Sequence, residues 1–192
     1  IGLDYIEFIL DFNDVKMNPL IKDGGIEDIK KVVIDSGVQV KTICADYFME
    51  APLHSEDTNL ANSSKQMLID LISKSSELGV TDIVIPCVDQ SSLNDKASEN
   101  RFVEILTPII SIAEEKGINL SLETDLPPNR FLELLNAFDS SNVTVNYDIG
   151  NSASLGFNPI DELEAYGDRI SDVHIKDRKL GGGPVFLGSG DA

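Results

Sequence analysis

Three residues of cation-binding types occupy matching places in this chain. Glu123, Asp148 and His174 each close an apolar run that reads as a buried strand: Ile118-Asn-Leu-Ser-Leu-Glu123, Val143-Thr-Val-Asn-Tyr-Asp148 and Ile170-Ser-Asp-Val-His174. In a parallel α/β barrel the C-terminal ends of all strands gather on one face, where the chemistry sits. Two carboxylates and an imidazole meeting there form a donor set for a divalent metal such as Mn²⁺, Co²⁺, Zn²⁺ or Mg²⁺. Taken singly, each residue has a plainer reading. Glu123 would cap the next helix, Asp148 would form an Asx turn before Ile-Gly-Asn, and His174 would be a hydrogen-bonded core histidine. Their agreement in order and strand position favours the shared site.

The elements that must position them alternate along the chain. Leu3–Ile9 reads as a first strand. Helical spacing over Gly25–Ser36 stops at Gly37, and Val38–Cys44 is the second strand. A polar loop over Ala45–Asn59 leads into a helix over Ala61–Leu78. Asp82–Pro86 is the third strand. Asn100–Lys116 is helical, with a kink expected at Pro108. After the fourth strand, Pro128–Phe138 is helical; after the fifth, Pro159–Tyr166. Six β-α units of this kind call for a parallel sheet with helical crossovers. The strands look almost continuously apolar, as when both faces are covered. No Gly-rich phosphate turn follows Ile6-Glu7-Phe8, which argues against an open doubly wound sheet. Residues 1–192 read as a single domain. The stretch Asp177–Ala192 is rich in glycine and reads as a long loop on the His174 face; its glycines permit close approach to a ligand.

Composition excludes several functions. A formal net charge of −18, from 15 basic and 33 acidic residues among 192, opposes nucleic-acid binding. No apolar run is long enough to span a bilayer, and no signal peptide is expected at Ile1. Cys44 and Cys87 lie in apolar runs and read as buried free thiols, which fits a cytoplasmic protein. Glu7 is expected to bond a neighbouring loop rather than line a pocket. His54, beside Glu56 and Asp57, is expected on the surface. Asp46, Tyr47, Phe48 and Asp89 are weaker pocket-wall candidates, and Asp177 pairing with Arg178 is as good a reading as substrate contact.

Asp172-Val-His-Ile-Lys-Asp-Arg178 with its Gly-rich sequel, Asp148-Ile-Gly-Asn151, Leu120-Ser-Leu-Glu123 and Leu3-Asp-Tyr-Ile-Glu7 together resemble the sugar phosphate isomerase/epimerase family with the xylose-isomerase-like TIM barrel. The resemblance implies a (β/α)8 fold from which this chain lacks the first and last strands. It implies a four-ligand metal site whose first three ligands map onto Glu123, Asp148 and His174, with the fourth, a Glu on the eighth strand, outside this chain. It implies proton transfer beside a sugar carbonyl through an enediolate, with Glu123 as both ligand and base, and no turnover by this piece alone because the second catalytic carboxylate is missing. Asn151 stands where members acting on free ketoses tend to carry a second His. That favours a phosphorylated sugar, with Gly150, Asn151, Lys176 and Arg178 as substrate-binding residues. The alternatives are an endonuclease IV-like metal hydrolase, disfavoured by two histidines and the charge, and a non-catalytic sugar-binding barrel. Open sheet edges would favour a homodimer or poor solubility.

Overall fold

The computed structural model describes residues 2–192, and six parallel strands in chain order form its main sheet. They are β1 (Tyr5–Ile9), β2 (Gln39–Cys44), β3 (Asp82–Cys87), β4 (Asn119–Thr124), β5 (Val143–Asp148) and β6 (Ile170–His174). The crossovers carry α1 (Gly25–Ser36), the single turn α2 (Tyr47–Glu50), α3 (Thr58–Ser76), α4 (Lys96–Lys116), α5 (Pro128–Leu135), α6 (Ile149–Leu155) and α7 (Pro159–Tyr166). A short antiparallel ribbon follows, β7 (Asp177–Arg178) with β8 (Pro184–Val185). The curled sheet clad in helices is TIM-barrel-like, the part of a (β/α)8 ring expected from the sequence. Among the described residues, no helix is long and apolar enough to cross a membrane.

β3 runs buried and apolar over residues 83–87, as expected, but β4 and β5 alternate. On β4, Leu120 and Leu122 are fully buried in the layer shared with the helices, together with Ile83, Ile85, Val143, Val145, Phe102 and Leu106. Ser121 and Glu123 face the other way, with Thr144, Asn146 and Asp148 of β5. The inner surface is therefore polar where barrel interiors are usually filled by branched aliphatics. At its N-terminal end Ser121 Oγ bonds Asp82 Oδ1 at 3.0 Å, Thr144 Oγ1 at 2.9 Å and Ser171 Oγ at 2.8 Å. These bonds offset the cost of burying hydroxyls and a carboxylate.

Helix boundaries follow their caps. The third helix starts at Thr58, earlier than its periodicity predicts, because Asp57 accepts from the amides of Asn59 at 2.9 Å and Leu60 at 3.4 Å. The fourth starts at Lys96 under an Asp95–Ser98 capping box. It runs through Pro108 as one 21-residue helix; Pro108 and Glu104, whose carbonyl loses its donor, both lie on the solvent face. Cys44 and Cys87 are free and buried, as expected. His54 corrects an expectation: it is buried beneath the β2–α3 connection, its ring 6.2 Å from that of Phe102 and its carbonyl accepting from Arg101 Nε at 2.9 Å. The polar residues beside it gave no sign that the loop folds back onto α4.

Truncating a residue of the layer between sheet and helices should be costly. Leu122→Ala is expected to lower unfolding free energy by about 2–5 kcal/mol, measured by urea denaturation of the metal-free chain.

Candidate metal centre

β5 and β6 bring two of the three candidate ligands together through an irregular register. Val145 pairs with Ile170, but Asn146 pairs with Asp172 and Asp148 with His174, so Ser171 is an extra residue on β6. Such a bulge re-aims the side chains beyond it. In regular register Val173 would lie beside Asp148, and His174 would point to the opposite face. Glu123 reaches the same place from the end of β4. Its Oε2 lies 3.6 Å from His174 Nδ1, and Asp148 Oδ2 lies 3.9 Å from that nitrogen.

The oxygens of the two carboxylates divide their work. Asp148 Oδ1 caps α6 by accepting from the Asn151 amide at 2.9 Å, whereas Oδ2 is buried and takes no well-aligned hydrogen bond. Lys176 Nζ lies 2.6 Å from Oδ2 as an ion-pair contact. Glu123 Oε1 accepts from Asn151 Nδ2 at 2.5 Å, and Oε2 accepts from Asn146 Nδ2 at 2.9 Å. Asn146 Nδ2 also lies 3.0 Å from His174 Nδ1, donating to the ring when that nitrogen is bare. On the ring's other side, His174 Nε2 is 3.0 Å from Glu7 Oε2. One atom each from Glu123, Asp148 and His174 lies within 4.8 Å of the others. Two oxygens and a nitrogen at that spacing fit a hard or borderline divalent ion.

Burial, and then the facing Asp148 carboxylate, push the Glu123 pKa up to about 7; His174, Lys176 and the Asn146 bond pull the other way. Burial works against a charge on His174, but the carboxylates of Glu7, Glu123 and Asp148 outweigh it and raise its pKa to about 9.

The residues expected to touch substrate have partners inside the protein. Gly150 packs so closely on Lys176 that an added Cβ would lie 2.8 Å from the Lys176 carbonyl oxygen. The Asn151 side chain donates to Glu123, and its Oδ1 accepts from an Arg178 guanidinium nitrogen at 2.7 Å. Arg178 Nε also donates to the Gly182 carbonyl at 3.1 Å. The Gly-rich segment wraps around Asp177, whose carboxylate accepts from the amides of Gly190 at 2.7 Å, Gly188 at 2.9 Å and Ala192 at 3.2 Å. The close approach at Gly190 is thus to the chain's own carboxylate, and Asp177 orders the ribbon rather than pairing with Arg178. Beside the ligands a cavity of about 330 Å³ opens between Asp89, Asp125, Asn151, Ser154, Arg178 and Gly182. Asp125 is half-buried, which raises its carboxyl pKa, and it accepts from Ser92. Asn146 leaves no sign in the sequence pattern, where Glu7 reads as bonding a neighbouring loop. The structure corrects that reading, because Glu7 reaches His174 across the sheet. Among the described residues His54 joins no group of metal-binding side chains, so the donor set for a multi-histidine hydrolase centre is not present there.

A family model described as "Xylose isomerase-like TIM barrel" matches residues 1–191. The 2-epi-5-epi-valiolone 7-phosphate 2-epimerase of an Actinoplanes species is 27% identical over 195 residues, covering 99% of this chain and 69% of that protein. A putative L-ribulose-5-phosphate 3-epimerase of Escherichia coli K12 is 23% identical, covering 92% of this chain and 64% of its own length. The chain therefore spans about two thirds of these relatives. The crystal structure of the IOLI protein with a bound zinc atom superposes with a TM-score of 0.78 at 22% identity, over 98% of this chain and 71% of that one.

Two outcomes follow from the geometry. Glu123 and His174 both bind protons more tightly folded (about 7 and about 9) than at their ordinary values of 4.5 and 6.5. Their contribution to stability is therefore present at low pH. It is lost as pH rises from 4.5 through 7 for Glu123 and from 6.5 through 9 for His174. The melting temperature of the metal-free chain should fall between pH 6 and 9, and His174→Gln should flatten that fall. Deleting Val173, beyond the bulge, should put His174 beside Tyr147 on the opposite face and weaken Zn²⁺ binding, read by calorimetry, at least 100-fold while the helical circular-dichroism signal persists.

Proposed function

This chain belongs to the xylose isomerase-like TIM barrel family, and on that premise we propose that it carries the metal-binding and proton-abstracting part of a sugar or sugar phosphate epimerase. One observation carries the reading: a Glu, an Asp and a His from three successive strand ends direct atoms at a common point, where buried Asp148 Oδ2 takes no well-aligned hydrogen bond and meets Lys176 only as an ion pair. The epimerase names of the relatives, which act on phosphorylated substrates by those names, support the reaction class.

Glu123, Asp148 and His174 would hold a divalent ion, whose chemistry is Lewis-acid polarisation of a carbonyl and the adjacent hydroxyl oxygen. The protein's own groups do the rest. Glu123 is the base that takes the proton from the carbon next to the carbonyl, leaving an enediolate. A pKa raised towards neutrality suits a carboxylate to that exchange. Asn151 and Asn146 hold its two oxygens, so the base meets the substrate in one orientation. Lys176 beside Asp148 and Arg178 on the cavity wall place positive charge where it steadies the oxygens of the enediolate and the far end of the sugar, phosphorylated or free. Returning a proton to the opposite face requires a second acid, which we assign to the part of the barrel that the relatives carry and this chain does not.

Calorimetry with Mn²⁺ tests the metal site directly. Micromolar binding is expected, and His174→Ala and Glu123→Ala are each expected to weaken it at least 100-fold. Binding that survives both substitutions would refute the site. With the longer protein, incubation of L-ribulose 5-phosphate in deuterium oxide should exchange the proton next to the carbonyl, and Glu123→Gln should stop the exchange.

A further inference from the structure

The first and last strands of the main sheet meet across its inner surface at one contact, Glu7 of β1 against His174 of β6. These residues are far apart in sequence, and their strands are opposite ends of an open sheet. Glu7 divides its oxygens as Glu123 and Asp148 do. Thr42 Oγ1 of the neighbouring β2 donates to Oε1 at 2.9 Å, which leaves Oε2 facing His174 Nε2 at 3.0 Å. Both side chains are largely enclosed, Glu7 at 28% and His174 at 22% exposure, so the contact is shielded from bulk water.

An imidazole that binds a metal through one nitrogen must carry its proton on the other. The nitrogen facing Glu123 and Asp148 is Nδ1. The proton therefore belongs on Nε2, and Glu7 is the acceptor placed there. We infer that Glu7 is a positioning residue for His174: its Oε2 is the acceptor for the Nε2–H, fixes the rotation of the ring and holds the Nδ1 lone pair towards the point shared by Glu123 and Asp148. This rests on the proposed metal site, but the 3.0 Å contact of buried Nε2 with Glu7 is present without the ion, as an ion-pair contact rather than a well-aligned hydrogen bond. Carboxylates placed behind a metal-binding histidine typically account for 10–100-fold in affinity.

Two measurements separate this role from a purely structural one. The chain has two histidines, so ¹⁵N-edited NMR of the metal-free chain resolves the His174 imidazole N–H, assigned with His174→Gln. A slowly exchanging Nε2–H resonance is expected in the wild type and in Glu7→Gln, whose amide oxygen still accepts, and its loss is expected in Glu7→Ala. Zn²⁺ affinity by calorimetry should fall roughly 10–100-fold in Glu7→Ala, with Glu7→Gln much nearer the wild type and the helical circular-dichroism signals of the metal-free variants alike. An Nε2–H resonance indifferent to Glu7→Ala, or equal Zn²⁺ losses in the Gln and Ala variants, would overturn the inference. A wild-type chain that takes up no Zn²⁺ would refute the metal reading alone, because the N–H resonance still decides the part played by Glu7.

Discussion

Two buried carboxylates facing one another are the constraint around which this structure is organised. Glu123 and Asp148 are 6% and 4% exposed, and burial together with the facing Asp148 carboxylate raises the cost of ionising Glu123. In a low-dielectric interior such a pair persists only if donors and cations surround it. Asn151 meets one oxygen of each, Asn146 meets a second, and Lys176 and His174 supply positive charge. The polar inner surface belongs to the same solution. A core of branched aliphatics behind the carboxylates would leave these donors without a place to stand.

Much of the fold was legible because apolar runs and glycine stops report on the chain locally. Both β5 and β6 fall where the sequence placed them, as do α1 and α7. The three candidate ligands were legible because each closes such a run. Less visible was whatever depends on pairing between strands. The extra residue on β6 leaves no mark in composition, yet it decides which face His174 takes. The contact of Glu7 with His174 depends on how far the sheet curls, which no window of sequence encodes. The helix α6 was missed because seven residues give too little periodicity; its signal lay in Asp148, whose Asx-turn reading is met by Oδ1 capping the helix.

The ribbon after β6 couples the cavity to the carboxylates. Arg178 holds Gly182 on one side and Asn151 on the other, while the Gly181 amide donates to the Ser154 carbonyl at 2.7 Å. A group drawn to the Arg178 guanidinium would therefore be sensed two hydrogen bonds away at Glu123. The opposite wall carries Asp89 and Asp125, so the cavity is bipolar rather than a uniformly basic phosphate cradle.

The meeting of β1 with β6 also has a temporal side. Glu7 leaves the ribosome well before His174, which emerges only after five further strands have been made. Contacts that close so long a span carry the largest loop-closure cost and form late. The centre is thus assembled last, when every strand between has found its register. An ion captured there would act as a latch on a completed sheet, and misregistered or half-folded chains would pass through the cell without holding it.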